Sequence, residues 1–316
     1  MKVLISAPYL VPHIDRFRHL FDKNGVEIVV ADVKERLEED ALLRLLPGID
    51  GIIAGDDRLS RRVLENAPSV KVLSKWGTGI DSFDLQAAAD LGIEVFNVPN
   101  AFSEPVSDSV LGYILAFARN VVTMTEDIRR GVWRKIMGRA LNESTVGIIG
   151  LGNVGTAVAR KLVPFGSRVV YNDVREMEPA ETERLVVQSM SLSSLLEQSD
   201  FVVVACDLNP TSHHLLSADH FGIMKDSAYL INCARGPIVN QNALVEALQF
   251  QQISGAALDV FEEEPLEDDS PLKSMQNVLL APHNSNSSSK AWEATHRAAI
   301  RNLFRGLKIE DKTGEL

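Results

Sequence analysis

The sequence predicts an α/β fold made of two doubly wound parallel-sheet domains with a cleft between them. Apolar, β-rich runs alternate with helical patterns from the first residues onward, which is typical of strands joined by crossover helices. The runs are continuously apolar rather than alternating, as expected when helices cover both faces of a sheet. With 316 residues, the chain has the length of about two domains.

The first half of the chain predicts one sheet followed by a connecting helix. Its five strands are expected at residues 2–6, 26–31, 50–55, 70–75 and 93–98. Residues 81–91 predict a helix with Asp81 as its N-cap and Gly92 as its stop signal. Apolar residues at helical spacing predict a long amphipathic helix over 104–120, and the polar segment 123–144 predicts irregular structure.

The second half predicts a larger sheet. Its strands are expected at residues 146–150, 168–173, 201–206, 228–233, 254–260 and 277–282. A last helix over about 289–307 is followed by no further strand, so we expect it to pack back onto the first domain.

Charge and hydropathy exclude several classes of partner. The chain has 43 acidic and 32 basic residues, and its net charge of −11 repels nucleic acid and anionic lipid surfaces. No apolar run approaches the roughly 20 residues of a membrane span. The apolar N-terminal stretch is broken early by Pro12 and His13, so we expect no signal peptide and a cytoplasmic protein.

Cysteine and histidine usage predicts no metal. Cys206 and Cys233 lie within apolar runs and have no partner at metal-ligand spacing, which favours reduced, buried thiols. Adjacent His213 and His214 are expected to point their rings in different directions, which does not favour a shared ion.

A glycine motif in the second half predicts a dinucleotide site. The segment VGIIGLGNVG places Gly150, Gly152 and Gly155 in a G-x-G-x-x-G pattern between a predicted strand and helix. Such glycines allow the tight turn, close approach of a pyrophosphate and close helix packing. Asp173 ends the next predicted strand, 18 residues after the last glycine, where a carboxylate accepts hydrogen bonds from the ribose and disfavours a 2′-phosphate. The cofactor predicted is NAD, although Arg175 weakens the choice over NADP.

Three side chains follow successive strands of the same predicted sheet. Arg235, Glu264 and His283 each come after a strand, and the carboxyl ends of parallel strands form the ligand edge of such a sheet. An arginine fork can bind a carboxylate and polarise its neighbouring carbonyl, a histidine can carry a proton, and a glutamate can orient the histidine ring. This set suits hydride transfer between nicotinamide and a 2-hydroxy or 2-oxo acid.

Each of the three side chains also has a simpler interpretation. A lone histidine is more often structural, a lone arginine is more often solvated, and Glu262 to Glu264 together could be an exposed acidic run. Their joint position at the ligand edge of a dinucleotide-binding sheet favours the catalytic interpretation.

The motifs GIIGLGNVG, INCARGPIVN, ALDVFEEEPL and NVLLAPH together resemble the D-isomer-specific 2-hydroxyacid dehydrogenases, and KWGTGIDSFD extends the resemblance into the first half. In type, the chain is most similar to D-3-phosphoglycerate dehydrogenases without a regulatory domain. The resemblance implies a substrate-binding arginine at Arg235, a His–Glu acid/base pair at His283 and Glu264, and Asp259 at the nicotinamide carboxamide. It also implies that the backbone of Gly77, Thr78 and Gly79 faces the substrate.

The same resemblance implies a domain organisation. A discontinuous substrate-binding domain is expected at residues 1–100 plus 287–316, and an NAD-binding domain at 101–286, so the fold would combine two Rossmann-like or flavodoxin-like domains. A homodimer is expected to form around residues 103–143. The full predicted cofactor-binding set is Gly150, Gly152, Asn153, Val154, Gly155, Asp173, Cys206, Cys233 and Asp259.

Some positions depart from the usual family pattern. Asp108 stands where glutamate is common, and HNSNSSS, at residues 283–289, replaces a glycine-rich segment after the histidine. Lys75 stands where many relatives have arginine, and it could meet a phosphate or second carboxylate of the substrate or lie in solvent.

The sequence therefore predicts an NAD-dependent D-2-hydroxyacid dehydrogenase, D-3-phosphoglycerate dehydrogenase-like in its substrate. Two alternatives remain open: a dehydrogenase of another small anion, such as formate or phosphite, and a non-enzymatic NAD(H)-sensing scaffold of the same fold.

Overall fold

A computed structural model describes residues 1–316 and confirms two parallel-sheet α/β units. The strands are β1 (Lys2–Ile5), β2 (Glu27–Val30), β3 (Gly51–Ala54), β4 (Val72–Lys75), β5 (Glu94–Phe96), β6 (Thr145–Ile149), β7 (Arg168–Asn172), β8 (Val187–Ser189), β9 (Phe201–Val204), β10 (Tyr229–Asn232), β11 (Gly255–Leu258) and β12 (Val278–Leu280).

Twelve α-helices accompany these strands. They are α1 (Arg18–Lys23), α2 (Glu39–Leu45), α3 (Arg61–Glu65), α4 (Leu85–Asp90), α5 (Ser103–Ala118), α6 (Val121–Arg129), α7 (Asn153–Leu162), α8 (Pro179–Leu185), α9 (Leu192–Gln198), α10 (Ala218–Ile223), α11 (Gln241–Gln249) and α12 (Ser289–Gly306). None of them combines the length and apolarity that a bilayer crossing requires.

The first unit comprises Met1–Phe102 and Ser288–Leu316. Its sheet has the order β2-β1-β3-β4-β5, with every neighbouring pair parallel. Side chains of β1 alternate between two cores: Leu4 packs on one face, and Val3 and Ile5 pack on the other. Helix α12 supplies part of the second core. Both faces are covered, which explains the continuously apolar strands.

The second unit comprises Ser103–Ser287. Its seven parallel strands have the order β12-β11-β10-β9-β6-β7-β8. The strand order reverses between β6 and β9, and such a switch point opens a ligand crevice at the carboxyl edge of a doubly wound sheet. Seven strands form, one more than predicted, because the short edge strand β8 adds to the six apolar runs.

One predicted helix has different bounds. Helix α4 starts at Leu85 rather than near Asp81, because Asp84 is the N-cap and accepts a hydrogen bond from the Ala87 N–H at 2.8 Å. The predicted stop at Gly92 corresponds to a left-handed residue with φ 71°.

The polar segment predicted to be irregular begins with helix α6. Asn120 adopts a left-handed conformation with φ 54° and separates α5 from α6. Asp127, only 5% exposed, binds Arg130 at 3.1 Å and Arg134 at 2.6 Å, so ion pairs hold the end of α6 to the turn after it. The prediction was wrong here because polar composition concealed a helix stabilised by its own charges.

Candidate active site

The second sheet brings the three predicted catalytic residues to one edge. Strands β10, β11 and β12 are adjacent and parallel, and Arg235, Glu264 and His283 follow their respective carboxyl ends. The loops themselves touch: a Cβ added to Gly236 would lie 1.9 Å from the carbonyl carbon and oxygen of Phe261. Only glycine allows the Arg235 loop to approach the Glu264 loop this closely.

His283 and Glu264 form a hydrogen-bonded pair. The distance from His283 Nδ1 to Glu264 Oε2 is 2.8 Å, and both side chains are partly buried. The other carboxylate oxygen, Oε1, accepts the Phe261 N–H at 2.9 Å, which fixes the carboxylate in place. An ionised carboxylate only accepts, so Nδ1 carries its proton and Nε2 is the ring atom suited to proton exchange.

The backbone that carries His283 is strained and is held by Asp259. His283 has a left-handed φ of 49°, which is uncommon for residues other than glycine. Its N–H donates to the Asp259 carbonyl oxygen at 2.8 Å. The Asp259 carboxylate accepts the next two N–H groups, from Asn284 at 2.7 Å and from Ser285 at 2.9 Å. Asp259 is 1% exposed, so this clamp lies in a weakly screened environment.

This contact gives Asp259 a role that sequence reasoning missed. The resemblance placed its carboxylate at the nicotinamide carboxamide, and no observation tests that prediction. In the structure, both carboxylate oxygens bind the segment after His283. In the sequence, only the departure of that segment from the usual glycine-rich pattern could have indicated this role of Asp259.

Ser285, in the same segment, lies beside two further polar groups. Its hydroxyl donates to the Cys233 sulfur at 3.6 Å, and it lies near the Tyr113 side chain of α5. Burial raises the pKa of Tyr113 to about 12 and that of Cys233 to about 12, and the nearby Asp259 carboxylate adds to both shifts. Both groups are therefore neutral near pH 7, and sequence reasoning had not selected Tyr113 or Ser285.

The turn that carries Arg235 is shaped by Asn232. This buried side chain accepts the Ala234 N–H at 3.1 Å and donates to the Arg235 carbonyl oxygen at 3.0 Å. The guanidinium Nη1 donates to the Ala234 carbonyl oxygen at 2.9 Å. An arginine guanidinium has the planar fork geometry that suits a carboxylate.

The glycine motif lies between β6 and α7, as predicted. Gly150 has φ 91°, and a Cβ there would lie 2.6 Å from the backbone of Cys206. A Cβ on Gly155 would lie 2.1 Å from the Gly150 carbonyl oxygen. Gly152, by contrast, has no atom within 4 Å of an added Cβ. The first and third glycines thus pack the turn, and the second leaves open space before the N-terminus of α7, where Asn153 and Val154 begin the helix.

Asp173 lies directly against this turn. Its Oδ2 accepts the Leu151 N–H at 2.6 Å, and its Oδ1 accepts the Arg175 N–H at 2.8 Å. Each carboxylate oxygen has a second lone pair that can accept a ribose hydroxyl. The Arg175 guanidinium contacts the Met177 sulfur at 3.0 Å. Burial raises the pKa of Cys206, on the other side of the turn, to about 11.

Asp108 has a structural role. Its carboxylate binds Lys161 Nζ at 2.6 Å, and the same ammonium contacts Glu104 and Ser107. These contacts join the first half of α5 to the end of α7, the helix that follows the glycine turn.

The remaining predicted site residues belong to the first unit. Lys75 is 3% exposed, and its ammonium binds Asp56 and the Gly55 carbonyl oxygen, both at 2.5 Å. Gly77 has φ 132°, and Thr78 is held to Val98 by its hydroxyl at 3.0 Å. Gly79 follows in the same loop. The substrate contacts of Lys75, Gly77, Thr78 and Gly79 stay predictions.

Two sequence-based interpretations are wrong. Glu262 is not a solvated residue of an acidic run, because its Oε1 lies 2.9 Å from His214 Nε2 and accepts the Gln241 N–H at 2.8 Å. The rings of His213 and His214 do not point apart: their centroids lie 4.1 Å from each other, because His214 adopts a left-handed φ of 50°. No group of three or more potential metal-ligating His, Cys, Asp or Glu side chains converges in the structure.

Comparisons with known proteins agree with this geometry. Residues 111–285 match the model of the D-isomer specific 2-hydroxyacid dehydrogenase family, NAD binding domain. Glyoxylate reductase of Thermofilum pendens is 37% identical over 279 residues, covering 86% of this chain and 80% of that protein. D-3-phosphoglycerate dehydrogenase of Methanocaldococcus jannaschii is 33% identical over 313 residues, covering 98% of this chain and 58% of that protein. D-lactate dehydrogenase of Aquifex aeolicus, solved with NAD and lactic acid, is 25% identical, with a TM-score of 0.87 over 98% of this chain and 96% of that chain.

Proposed function

Because this chain belongs to the D-isomer-specific 2-hydroxyacid dehydrogenase family, we propose that it reduces a small, singly charged 2-oxo acid with NADH, as in glyoxylate or hydroxypyruvate reduction. The observation that carries this proposal is the 2.8 Å contact between His283 Nδ1 and Glu264 Oε2. The pair lies at the same edge of the same sheet as the glycine turn, so an acid/base group and a dinucleotide cradle share one strand-end surface.

The chain is an NAD-dependent oxidoreductase, and its glycine turn fits that cofactor. The open space beside Gly152 and the N-terminus of α7 suit a pyrophosphate, and Asp173 suits the ribose hydroxyls. NADH, when bound, supplies the hydride. We assign cofactor binding to the unit Ser103–Ser287.

Each catalytic side chain then has one task. The Arg235 guanidinium binds the substrate carboxylate and polarises the adjacent carbonyl group. As the carbonyl carbon receives the hydride, its oxygen gains negative charge and takes the proton from His283 Nε2. Glu264 keeps the ring in the tautomer with Nδ1–H and stabilises the protonated imidazole before the transfer.

Charge pairing around Lys75 supports a singly charged substrate. Lys75 is the residue expected to meet a substrate phosphate or second carboxylate, but it is 3% exposed and its ammonium is already bound to Asp56. A substrate phosphate would have to displace that carboxylate, at the cost of an ion pair and of repulsion from Asp56. The phosphorylated substrate remains the second candidate, because the phosphoglycerate dehydrogenase match covers 98% of this chain.

The test is NADH oxidation with a panel of acids. Glyoxylate, hydroxypyruvate, pyruvate and 3-phosphohydroxypyruvate are compared by kcat/KM, and glyoxylate or hydroxypyruvate is expected to rank first. His283→Asn tolerates the left-handed backbone but cannot relay the proton, so kcat should fall by about 10²- to 10⁴-fold while NADH affinity is retained.

Other outcomes would support the other candidates. A first rank for 3-phosphohydroxypyruvate would establish the phosphorylated substrate. NADH binding without turnover of any acid would favour the sensing scaffold, and NAD reduction by formate or phosphite would favour the dehydrogenase of another anion. Unchanged kcat in His283→Asn would remove His283 from proton transfer.

We also propose a homodimer formed through α6 and the segment after it. Large apolar side chains are exposed there: Ile128 at 54%, Trp133 at 90% and Met137 at 96%. Exposed apolar groups in such a cluster mark an association surface. Light scattering should give twice the chain mass for the wild type and a lower mass for Trp133→Asp; an unchanged mass in the variant would exclude this surface.

A further inference from the structure

His214 and Glu262 form a second histidine–carboxylate pair close to the first. The distance from His214 Nε2 to Glu262 Oε1 is 2.9 Å. On the other side of the ring, Asn240 Nδ2 lies 3.4 Å from His214 Nδ1. The Asn240 oxygen is already occupied, because it caps α11 by accepting the Ala243 N–H at 2.9 Å. The amide nitrogen therefore faces the ring, so Nδ1 accepts and Nε2 donates to Glu262.

His214 is also bonded to the loop that carries Arg235. Its backbone N–H donates to the Pro237 carbonyl oxygen at 2.8 Å, two residues beyond Arg235. The Leu216 N–H donates to the Ile238 carbonyl oxygen at 3.1 Å, which continues the same contact. The segment after β9 is thus joined to the turn that presents the guanidinium.

Glu262 lies in the loop that carries Glu264 and is bonded to the first residue of α11. Its Oε1 accepts the Gln241 N–H at 2.8 Å, and its own N–H donates to Gln241 Oε1 at 3.3 Å. Gly236, next to Arg235, packs directly on Phe261, next to Glu262. A change at Glu262 therefore moves the contact surface between the two catalytic loops.

We propose that His214 and Glu262 are positioning residues that hold the Arg235 side chain in place relative to the His283–Glu264 pair. This inference rests on the proposed function, in which Arg235 binds the substrate carboxylate. Neither His214 nor Glu262 is assigned a chemical step: the ring contacts Glu262 and Asn240, and the carboxylate oxygen Oε1 contacts His214 and Gln241. Loss of the His214–Glu262 contact weakens the binding of the substrate carboxylate by Arg235 and leaves the cofactor turn at Gly150 unchanged.

The test separates substrate binding from cofactor binding. His214→Asn suits the left-handed backbone at φ 50° but is too short to reach Glu262. It should raise the KM for the 2-oxo acid about ten-fold, which is less than the roughly hundred-fold loss that a 1 Å misplacement can cause. The KM for NADH should stay unchanged within about two-fold. The matched control is His213→Ala at the exposed neighbouring histidine, which should leave both constants unchanged within about two-fold.

The partner residue provides a second, independent variant. Glu262→Ala should raise the KM of the oxo acid as His214→Asn does. The double variant should be no worse than Glu262→Ala alone, because that substitution already removes the contact with His214. Glu262→Gln keeps an acceptor oxygen, so it should restore most of the affinity. Should His214→Asn fail to fold, the Glu262 variants give the same comparison.

Several results would overturn the inference. The inference fails if His214→Asn leaves the KM for the oxo acid unchanged or raises the KM for NADH equally. It also fails if the losses in the double variant are additive, or if His213→Ala has the same effect as His214→Asn. A wild-type protein that turns over no 2-oxo acid would overturn the proposed function itself, whereas normal wild-type turnover with silent His214 and Glu262 variants would refute this inference alone.

Discussion

Alanine substitutions at Gly155 and Gly152, two glycines of the same turn, should affect stability in opposite ways. In Gly155→Ala, the new Cβ would lie 2.1 Å from the Gly150 carbonyl oxygen, more than 1 Å inside an ordinary contact. The obstacle is backbone, which cannot rotate away. Overpacking of this kind costs about 1–3 kcal/mol or more. At roughly 2–4 °C of Tm per kcal/mol for a domain of this size, we expect a Tm about 6–12 °C lower at the upper cost.

Gly152→Ala should behave differently. Gly152 has φ −75° and open space around an added Cβ, so alanine is tolerated, and lower entropy of the unfolded chain can add about 0.4–1 kcal/mol of stability. The methyl group would, however, occupy the space that the pyrophosphate needs, so the Kd for NADH should rise about ten-fold or more.

Thermal unfolding without cofactor and NADH titration by fluorescence measure the two effects separately. We expect Gly155→Ala to lose stability, and Gly152→Ala to lose NADH affinity at unchanged or slightly higher stability. A Gly155→Ala protein with wild-type Tm, or a Gly152→Ala protein that binds NADH normally, would refute it.

Three further predictions concern buried polar groups. Asp259→Asn places an amide N–H₂ against a backbone N–H such as that of Ser285, so we expect about 1–3 kcal/mol lower stability in denaturant unfolding together with reduced kcat. Burial lowers the pKa of His296 to about 4, so between about pH 4 and 6.5 only the unfolded chain binds this proton; the free energy of unfolding should fall as pH drops through that window, and it should fall less in His296→Gln. Because burial raises the pKa of Cys233 to about 12 and that of Cys206 to about 11, a thiol reagent at about pH 8 should label the folded protein far more slowly than the denatured one; equal rates would contradict the burial.

The sequence predicted the features that depend on local patterns. The parallel sheets are confirmed because continuous apolar runs and crossover helices leave few other arrangements. The glycine turn formed where expected, because strand, glycines and helix are contiguous in the chain. Predictions failed where a long-range contact decided the outcome: His214 is left-handed and bonded to Pro237, so its ring lies against that of His213.

The roles of single residues also depend on strand order. From the sequence, Glu262 looks like part of a solvated run, because nothing local places it beside His214, 48 residues earlier. The clamp of Asp259 on Asn284 joins residues 25 apart, and it exists because β11 and β12 are neighbours.

What the sequence determined by itself is the class of chemistry: an arginine, a glutamate and a histidine after successive strands, and a glycine turn before a helix. The tertiary structure decided which loops touch and which side chains hold them, including Asp259 under the left-handed His283. The physical reason is that strand and turn preferences act over a few residues, whereas hydrogen bonds between loops form only after the sheet has set their spacing.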